Sequence, residues 1–400
     1  MPYYYLTIFL IISFFALAES VSIESRVKRF GLLLVFFLLT LTAGLRYETG
    51  VDWRIYSGFY SLIPPIDQIV TKTGRAGIFH EIDLGYDVFT STIKYCGGSI
   101  QTVFFLVSVL SSFFLFKSLK KYTPYPLNSI LVYYGLLYFM LDMSGLRQAL
   151  ALAIFLFSCQ YIHERKFYRF FLLIVLATLF HWSSIVLLPL YFVCSRRLSL
   201  FTIVAFMIPA LIIFFFSIRW LDAIITLILP FFSNESLLTK GYIYTTTTEF
   251  TGGWKLNLTT IFNISLSLAI LILLITYRQE LETRFKYFNL FFNLFFIQLV
   301  IYFSCSELPE IAERMKLFFV VANVILLPYF IPLFRITKDR IFAFCCIALY
   351  AFALSRTYLL ERSATIAYHP YQNYIIYKAF DIPSTGNARL EQHIINFSNY

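Results

Sequence analysis

Long apolar runs separated by short polar connections dominate this chain. A membrane-spanning helix needs about 20 apolar residues, within a range of about 17–25. Ten runs approach that length, and they lie near residues 3–19, 30–45, 100–117, 128–142, 146–163, 199–218, 257–277, 287–304, 316–334 and 340–356. The pattern predicts an all-α, polytopic integral membrane protein.

The composition agrees with a membrane environment. The 400 residues are 59% hydrophobic and only 14% charged, whereas soluble domains carry about 25% charged residues. A soluble surface of this size would need more charge to stay in water. No polar stretch is long enough for a separate soluble domain, so we expect a single membrane domain over residues 1–400.

The net charge of +10 has an explanation that does not involve nucleic acid. Lys and Arg are concentrated in short connections between apolar runs, as the positive-inside rule describes for cytoplasmic loops. The clusters are Arg26/Lys28/Arg29, Lys117/Lys120/Lys121, Arg165/Lys166/Arg169, Arg196/Arg197, Arg278/Arg284/Lys286 and Arg335/Lys338/Arg340. We therefore place these connections in the cytoplasm and expect no nucleic-acid partner.

The run from Phe167 to Val193 conflicts with this orientation, because basic clusters lie at both of its ends. A single span would leave one cluster outside. Two short helices, about 168–180 and 183–195, would leave both inside, with His181 at the apex of a helical hairpin. Such short segments are tolerated at membrane depth where they line a cavity.

The hairpin brings the total to about twelve membrane segments, with both termini outside the cytoplasm. The map predicts three outer loops and an outer tail, at about 46–99, 219–256, 305–315 and 357–400.

Arg46 ends the second apolar run on the side where positive charge is disfavoured. An arginine costs about 2.5–3.5 kcal/mol at a helix centre on insertion scales. The polar set that follows includes Asp52, Trp53 and Tyr56. The guanidinium fork suits a phosphate or carboxylate ligand, and the alternative is an arginine that snorkels and pairs with Glu48 or Asp52.

Arg147 and Gln148 open the run at 146–163, and the rest of that run is apolar. A cation at a helix N-terminus opposes the helix dipole, so capping does not explain it. Together with free backbone N–H groups, the two side chains would form an anion site. The alternative is an ion pair between Arg147 and Asp142 across the preceding turn.

His181, Arg314 and several loop acids complete the candidates. Histidine is suited to proton transfer near neutral pH, although a buried histidine bonded to a carbonyl is the simpler interpretation. Arg314 would join the anion site, or would pair with Glu310 at the i, i+4 spacing. Glu81 and Asp83 in the first outer loop are further candidate bases.

Outward arginines, one histidine and loop acids fit an anionic, lipid-borne substrate such as a polyprenyl diphosphate sugar. Glycosyl transfer from such a donor needs cations that stabilise the departing diphosphate. It also needs a group that accepts the proton of the attacking hydroxyl.

At these residues the sequence resembles the EpsG-type family of bacterial exopolysaccharide polymerases and, more distantly, the Wzy O-antigen polymerases. The similar segments are Arg46–Trp53 with Tyr56, Glu81 with Gly85-Tyr86, Gly145–Ala151, Ala177 with Phe180–Ser183, and Arg314 with Phe318-Phe319. One departure is that Ser57 stands where the Arg-x10-Gly loop pattern of some Wzy proteins has glycine, which follows at Gly58.

The resemblance implies a GT-C-like glycosyltransferase of the bacterial cytoplasmic (inner) membrane, with its active site facing the periplasm and without a metal or other cofactor. It would transfer a glycan of the O-antigen, capsule or exopolysaccharide type from its undecaprenyl diphosphate carrier to the next lipid-linked repeat unit.

By position, the resemblance also implies roles for particular residues. Arg46, Arg147 and Arg314 would bind the diphosphate, and His181 would be the general base or a further diphosphate ligand. The second-rank candidates for the base are Asp52 and Glu81, and the remaining substrate-binding candidates are Tyr56, Gln148 and Trp53.

Three other functions stay open. An O-antigen ligase would share the donor site but use a lipid A-core acceptor. A lipid-linked oligosaccharide flippase would show broken helices at matching places in two halves, and only the segment around His181 is clearly broken. A non-catalytic partner in a biosynthetic complex is the third. The sugars, the linkage, the oligomeric state and binding of a chain-length regulator protein are not determined by the sequence.

Overall fold

The computed structural model describes residues 1–22, 24–71, 83–194, 196–228, 257–360, 362–389 and 391. The described chain is 80% helical and contains no β-strand. The all-α prediction is therefore confirmed.

The α-helices, numbered in chain order, are α1 Tyr3–Val21, α2 Ser25–Gly44, α3 Trp53–Leu62, α4 Ile66–Thr71, α5 Leu84–Tyr95, α6 Ile100–Tyr122, α7 Pro126–Tyr133, α8 Leu146–His163, α9 Phe167–Phe180, α10 Leu190–Val193, α11 Leu200–Phe215, α12 Trp220–Ile228, α13 Leu258–Thr276, α14 Arg278–Arg284, α15 Phe288–Ser304, α16 Pro309–Leu326, α17 Thr337–Leu360, α18 Arg362–Tyr368 and α19 Tyr374–Ala379. A π-helical turn, Tyr134–Tyr138, continues α7, and 3₁₀ segments lie at Trp182–Leu187 and Leu327–Leu333.

All ten apolar runs coincide with helices, and several of these are long enough to cross a membrane. The helices with sufficient length and hydropathy are Tyr3–Val21, Ser25–Gly44, Ile100–Tyr122, Ala312–Leu333 and Thr337–Leu360. A sixth span results if Thr260–Thr276 and Arg278–Arg284, which meet at 69°, are one broken span. The chain is thus an integral membrane protein, while the number of about twelve segments and the GT-C architecture stay predictions.

The chain packs as two compact units. Unit 1 comprises Met1–Tyr191 and Leu327–Tyr400, and unit 2 comprises Phe192–Leu326. The expectation of a single membrane domain over residues 1–400 stays a prediction.

One end of unit 1 brings together the end of α2, the start of α6 and the turn before α8. The Gln101 side chain donates hydrogen bonds to the carbonyls of Gly44 and Arg46, at 2.8 and 3.0 Å. The Tyr368 hydroxyl donates to the carbonyl of Phe139 at 2.7 Å. We call this the polar end, because the candidate site residues of unit 1 lie here.

The opposite end of unit 1 carries basic connections. Lys28 donates to the carbonyl of Pro124 at 2.5 Å, which joins the start of α2 to the α6–α7 connection. Lys121 lies 3.3 Å from the Glu164 carboxylate, which joins the ends of α6 and α8. Basic clusters predicted to share one membrane face are therefore neighbours in unit 1, and we call this the basic end.

The chain reverses at His181, as the charge pattern predicted. Helix α9 stops at Phe180, and His181 has an extended backbone, with φ −153° and ψ 105°. The returning segment brings the Tyr191 ring to 5.1 Å from the Phe167 ring, measured between centroids. The end of the hairpin thus lies beside its beginning, and the predicted reversal is confirmed. The first arm is the predicted helix, whereas the returning arm is the 3₁₀ segment Trp182–Leu187 and the short helix α10 rather than one helix over 183–195.

The predicted outer loops contain helices that hydropathy alone does not reveal. Helices α3, α4 and α5 lie within 46–99, and α12 begins the 219–256 loop, of which residues 229–256 lie outside the described chain. Helix α16 begins at Pro309, within the predicted 305–315 loop, and α17 runs to Leu360, past the predicted start of the tail. The outer position of these segments stays a prediction.

Unit 2 is built on α11, α15 and α16. The Phe214 ring of α11 lies 5.5 Å from the Phe303 ring of α15, and Asn323 of α16 donates to Gln298 of α15 at 2.8 Å. A few polar contacts between apolar helices of this kind fix their register within a membrane.

Candidate functional site

Asp83 joins Arg147 to the apex of the hairpin. Its Oδ2 lies 2.9 Å from Arg147 Nη1, and its Oδ1 accepts a hydrogen bond from the backbone N–H of Trp182 at 2.9 Å. His181 Nδ1 lies 3.9 Å from the same Oδ2. Two of the predicted site residues, Arg147 and His181, therefore lie against one carboxylate. Burial raises the pKa of Asp83, and its contacts with Trp182 and Arg147 offset only part of that rise.

The close approach of α5 to α9 places that carboxylate. A Cβ on Gly85 would lie 2.8 Å from both the Cβ and the carbonyl oxygen of Leu179, so only glycine fits without a shift. One turn further along α5, the Phe89 ring packs edge-on against Phe180 at 6.1 Å. The first turn of α5 thus lies directly against the hairpin apex.

Aromatic rings surround the Arg147 guanidinium. Its Cζ lies 5.9, 5.4 and 5.9 Å from the ring centroids of Tyr56, Phe59 and Tyr86. The Tyr56 hydroxyl also accepts from the Arg147 backbone N–H at 3.5 Å. Aromatic rings attract a cation and keep water away from it, so the charge of Arg147 acts on a ligand with little screening.

Two buried donors without partners lie beside this centre. Within the described chain, the buried atoms Arg147 Nε and Gln148 Nε2 have no hydrogen-bond partner. Both belong to the first turn of α8, where backbone N–H groups and the helix dipole also favour an anion. The Arg147 side chain keeps 23% of its surface exposed, so a ligand has access.

A second acid, Asp87, lies one helical turn beyond Asp83. It is 1% exposed, and neither carboxylate oxygen has a hydrogen-bond partner in the described chain. Burial raises the pKa of Asp87 to about 7; the positive charge of Arg147 acts against this rise, and the negative charge of Asp83 adds to it. Asp87 is therefore a carboxyl group that exchanges its proton near neutral pH.

Arg46 lies in the interior of unit 1. It is 0% exposed, and its guanidinium donates to the carbonyls of Ala43 and Asp142 at 2.7 and 2.9 Å. Its Cζ lies 4.5 Å from the centre of the Phe104 ring. Within the described chain, its Nε and Nη2 are buried without a hydrogen-bond partner. The bonds of Nη1 tie the end of α2 to the turn before α8 and differ from the predicted pairing with Glu48 or Asp52, and full burial favours a structural role.

Asp142, Trp53 and Glu81 lie outside the centre formed by Asp83, Arg147 and His181, or outside the described chain. The Asp142 carboxylate accepts from the Tyr133 hydroxyl at 2.5 Å, so it is Asp83, and not Asp142, that pairs with Arg147. Trp53 is buried in α3, directly after Asp52. Glu81 lies outside the described residues.

Arg314 belongs to unit 2. It is exposed on α16, and the neighbouring Glu313 pairs with Lys316 at 2.6 Å. The Glu310 side chain lies outside the described residues, so the predicted Arg314–Glu310 pair stays a prediction.

Sequence reasoning left Asp83 among the secondary acids and did not consider Asp87. The signal that could have found both is their i, i+4 spacing with Tyr86 between them in an amphipathic segment, which places both acids on one face of a short helix. Among the described residues, no group of three or more His, Cys, Asp or Glu side chains is placed to hold a metal ion.

These features define an all-helical integral membrane protein with a centre of Asp83, Arg147 and His181 at one end of its first unit. A model of the EpsG family matches residues 29–373, and the chain belongs to that family. No curated protein and no solved structure matches the chain. Family membership indicates a glycosyltransferase-like polymerase of polysaccharide biosynthesis.

Proposed function

We propose that the protein joins undecaprenyl-diphosphate-linked oligosaccharide repeat units at the periplasmic face of the bacterial cytoplasmic membrane. The observation that carries the proposal is the centre formed by Asp83, Arg147 and His181. A cation with unpartnered N–H groups, an acid and a histidine lie within hydrogen-bond or ion-pair distance of each other.

The cationic part of the centre suits the leaving group. When the bond between the anomeric carbon and the diphosphate oxygen breaks, its electron pair leaves with undecaprenyl diphosphate. Arg147, Gln148 and the first turn of α8 would bind that diphosphate and stabilise its added charge. Since Arg147 is pre-positioned by Asp83, little reorganisation is needed when the charge develops.

The histidine suits the incoming group. The acceptor hydroxyl attacks the anomeric carbon, and its proton passes to His181. The Asp83 carboxylate, 3.9 Å from His181 Nδ1, would stabilise the imidazolium that forms. Asp87 offers a second place for that proton, because its pKa lies near neutrality.

The surroundings also suit a lipid-linked substrate. An apolar groove of about 630 Å³ between the π-turn and α17 is lined by Gly135, Phe139, Leu354, Arg356 and Leu360, among others. The Phe139 carbonyl accepts from Tyr368, a residue of the polar end.

The first test compares variants in a strain that lacks the gene. Arg147→Ala and His181→Ala should each reduce long-chain surface polymer by at least tenfold, because transition-state stabilisation and proton transfer are lost. Single repeat units should accumulate on their lipid carrier. Polymer is measured by gel profile and carrier-linked glycans by mass spectrometry of extracted lipid.

Arg54→Ala is the matched control, because Arg54 is an exposed arginine of α3 in the same predicted loop. It should support normal polymer, and all variants should insert at wild-type levels. Normal polymer from both site variants would overturn the site. Long carrier-linked chains would indicate a ligase, and single units confined to the cytoplasmic leaflet would indicate a flippase.

A further inference from the structure

The basic end of unit 1 contains a groove that the proposed polymerase reaction does not use. It lies between α2, α6 and α8 and has a volume of about 700 Å³. Its walls are mainly apolar and are formed by Leu33, Phe36, Phe116 and Phe157. Its rim is basic and is formed by Lys117, Lys120 and Lys121.

The charge of the rim is largely uncompensated. Within the described chain, neither Lys117 nor Lys120 has a carboxylate within ion-pair distance, and both are exposed. Lys117 lies over aromatic rings instead, 5.4 Å from the centre of Phe113 and 5.1 Å from that of Phe157. Lys121 contacts Glu164 at 3.3 Å. Three cations and one anion leave the groove with a net positive rim.

The groove lies at the opposite membrane surface from the polar end. The first turn of α6 contains Gln101, which donates a hydrogen bond to the Arg46 carbonyl, and its last turn contains Lys120 and Lys121. Twenty residues of α-helix cover about 30 Å, which matches the hydrocarbon thickness of a bilayer of about 30 Å. A lipid-linked substrate engaged at Arg147 would therefore not reach these lysines with its diphosphate.

We infer that this groove binds an anionic phospholipid of the leaflet in which the basic connections lie. Acyl chains would pack on the phenylalanine walls, and the phosphate would lie among the lysines at headgroup depth. Basic pockets between membrane helices on the cytoplasmic side are suited to such headgroups. The apolar walls disfavour an acidic protein segment, whose backbone would lack partners there.

Native mass spectrometry of the full-length protein in detergent tests this inference. Phosphatidylglycerol and phosphatidylcholine with the same acyl chains are added separately, and the bound fraction is measured. The wild-type protein should retain phosphatidylglycerol at least fivefold better than phosphatidylcholine. Lys117→Gln combined with Lys120→Gln should reduce phosphatidylglycerol binding at least fivefold.

The control removes two charges elsewhere at the predicted cytoplasmic face. Arg335→Gln combined with Lys338→Gln changes exposed residues that do not line the groove, and it should leave phosphatidylglycerol binding unchanged. Equal loss in the control, or unchanged binding in the lysine variant, would overturn the inference.

A competition on the wild-type protein needs no variant. Undecaprenyl phosphate added in excess should leave phosphatidylglycerol bound. If undecaprenyl phosphate displaces phosphatidylglycerol from the wild-type protein, and the lysine variant fails to bind undecaprenyl phosphate, the groove belongs to the carrier lipid. That outcome overturns the assignment to a phospholipid.

Discussion

The two carboxylate oxygens of Asp83 contact two different parts of the centre. One oxygen contacts Arg147, and the other holds the backbone at Trp182. A carboxylate in this position both orients the guanidinium and keeps the hairpin apex in place. Such supporting groups determine whether a site is pre-organised for its ligand.

The raised pKa of Asp87 makes the stability of the folded protein depend on pH. An aspartate with a raised pKa keeps its proton in the folded chain over a pH range in which the unfolded chain has lost it. The free energy of unfolding therefore falls as pH rises from about 4, the usual pKa of aspartate, to about 7, the folded-state value. Above pH 7 this dependence ends.

Asp87→Asn should remove that loss of stability. We expect the variant to melt at a higher temperature than the wild type, by several degrees at pH 8 and by less at pH 5. Thermal unfolding in detergent across this pH range measures the difference. Asp339→Asn changes an exposed acid of α17 and should show the same small difference at both values. A pH-independent effect of Asp87→Asn would contradict the assigned pKa.

At the scale of elements, glycines set how closely the site helices approach. Gly50 has φ +106°, a left-handed conformation that strains other residues, and a Cβ there would overlap the Met143 carbonyl. Gly85 has ordinary dihedrals, but it lacks space for a side chain against Leu179. The first glycine shapes a loop beside the turn before α8, and the second brings α5 to the hairpin.

Gly85→Ala should separate α5 from α9 and weaken the Asp83–Arg147 pair. Overpacking of this kind costs about 1–3 kcal/mol, and we expect at least a tenfold loss of polymer. Thermal unfolding and the polymer profile measure the two effects. Gly58→Ala in α3 is the matched control, because a Cβ added to Gly58 would meet no packed neighbour within 4 Å. It should be neutral or stabilising by about 0.5–1 kcal/mol; equal behaviour of both variants would contradict the packing argument.

At the scale of the molecule, unit 1 separates its basic connections from its polar end. Because basic loops stay in the cytoplasm, the polar end should face outward. Cys96, which is exposed just before α6, lies at the polar end. A version that keeps only this cysteine should react with a membrane-impermeant maleimide in intact spheroplasts.

Lys338→Cys in a version without other cysteines is the comparison. Lys338 belongs to a predicted cytoplasmic cluster and is exposed. It should react only after the membrane is permeabilised. The reverse pattern, with Lys338→Cys labelled first, would place the proposed active site in the cytoplasm and contradict the periplasmic orientation.

The positions of the long apolar helices follow directly from the sequence, whereas those of the short helices in the predicted outer loops do not. Apolar runs of fixed length predict membrane helices because the bilayer demands internally satisfied backbone groups. The charge pattern was also sufficient for the hairpin at His181, since basic clusters at both ends of one run allow few other solutions. The EpsG-type resemblance, carried by short motifs in a fixed order, is confirmed by the family match over residues 29–373.

Only the tertiary structure decided which of the candidate residues meet. Asp83 and Arg147 are 64 residues apart in the chain yet 2.9 Å apart in space. The i, i+4 spacing of Asp83 and Asp87 places both acids on one helix face, but it does not identify Arg147 as the partner of Asp83. Arg46 and Arg147 look alike in sequence, each beside an apolar run. Both have buried donors without a hydrogen-bond partner in the described chain, but Arg46 is fully buried, whereas the Arg147 side chain keeps 23% of its surface exposed to a ligand. Hydropathy reports whether a segment enters the membrane, whereas burial and pairing depend on the neighbours that folding supplies.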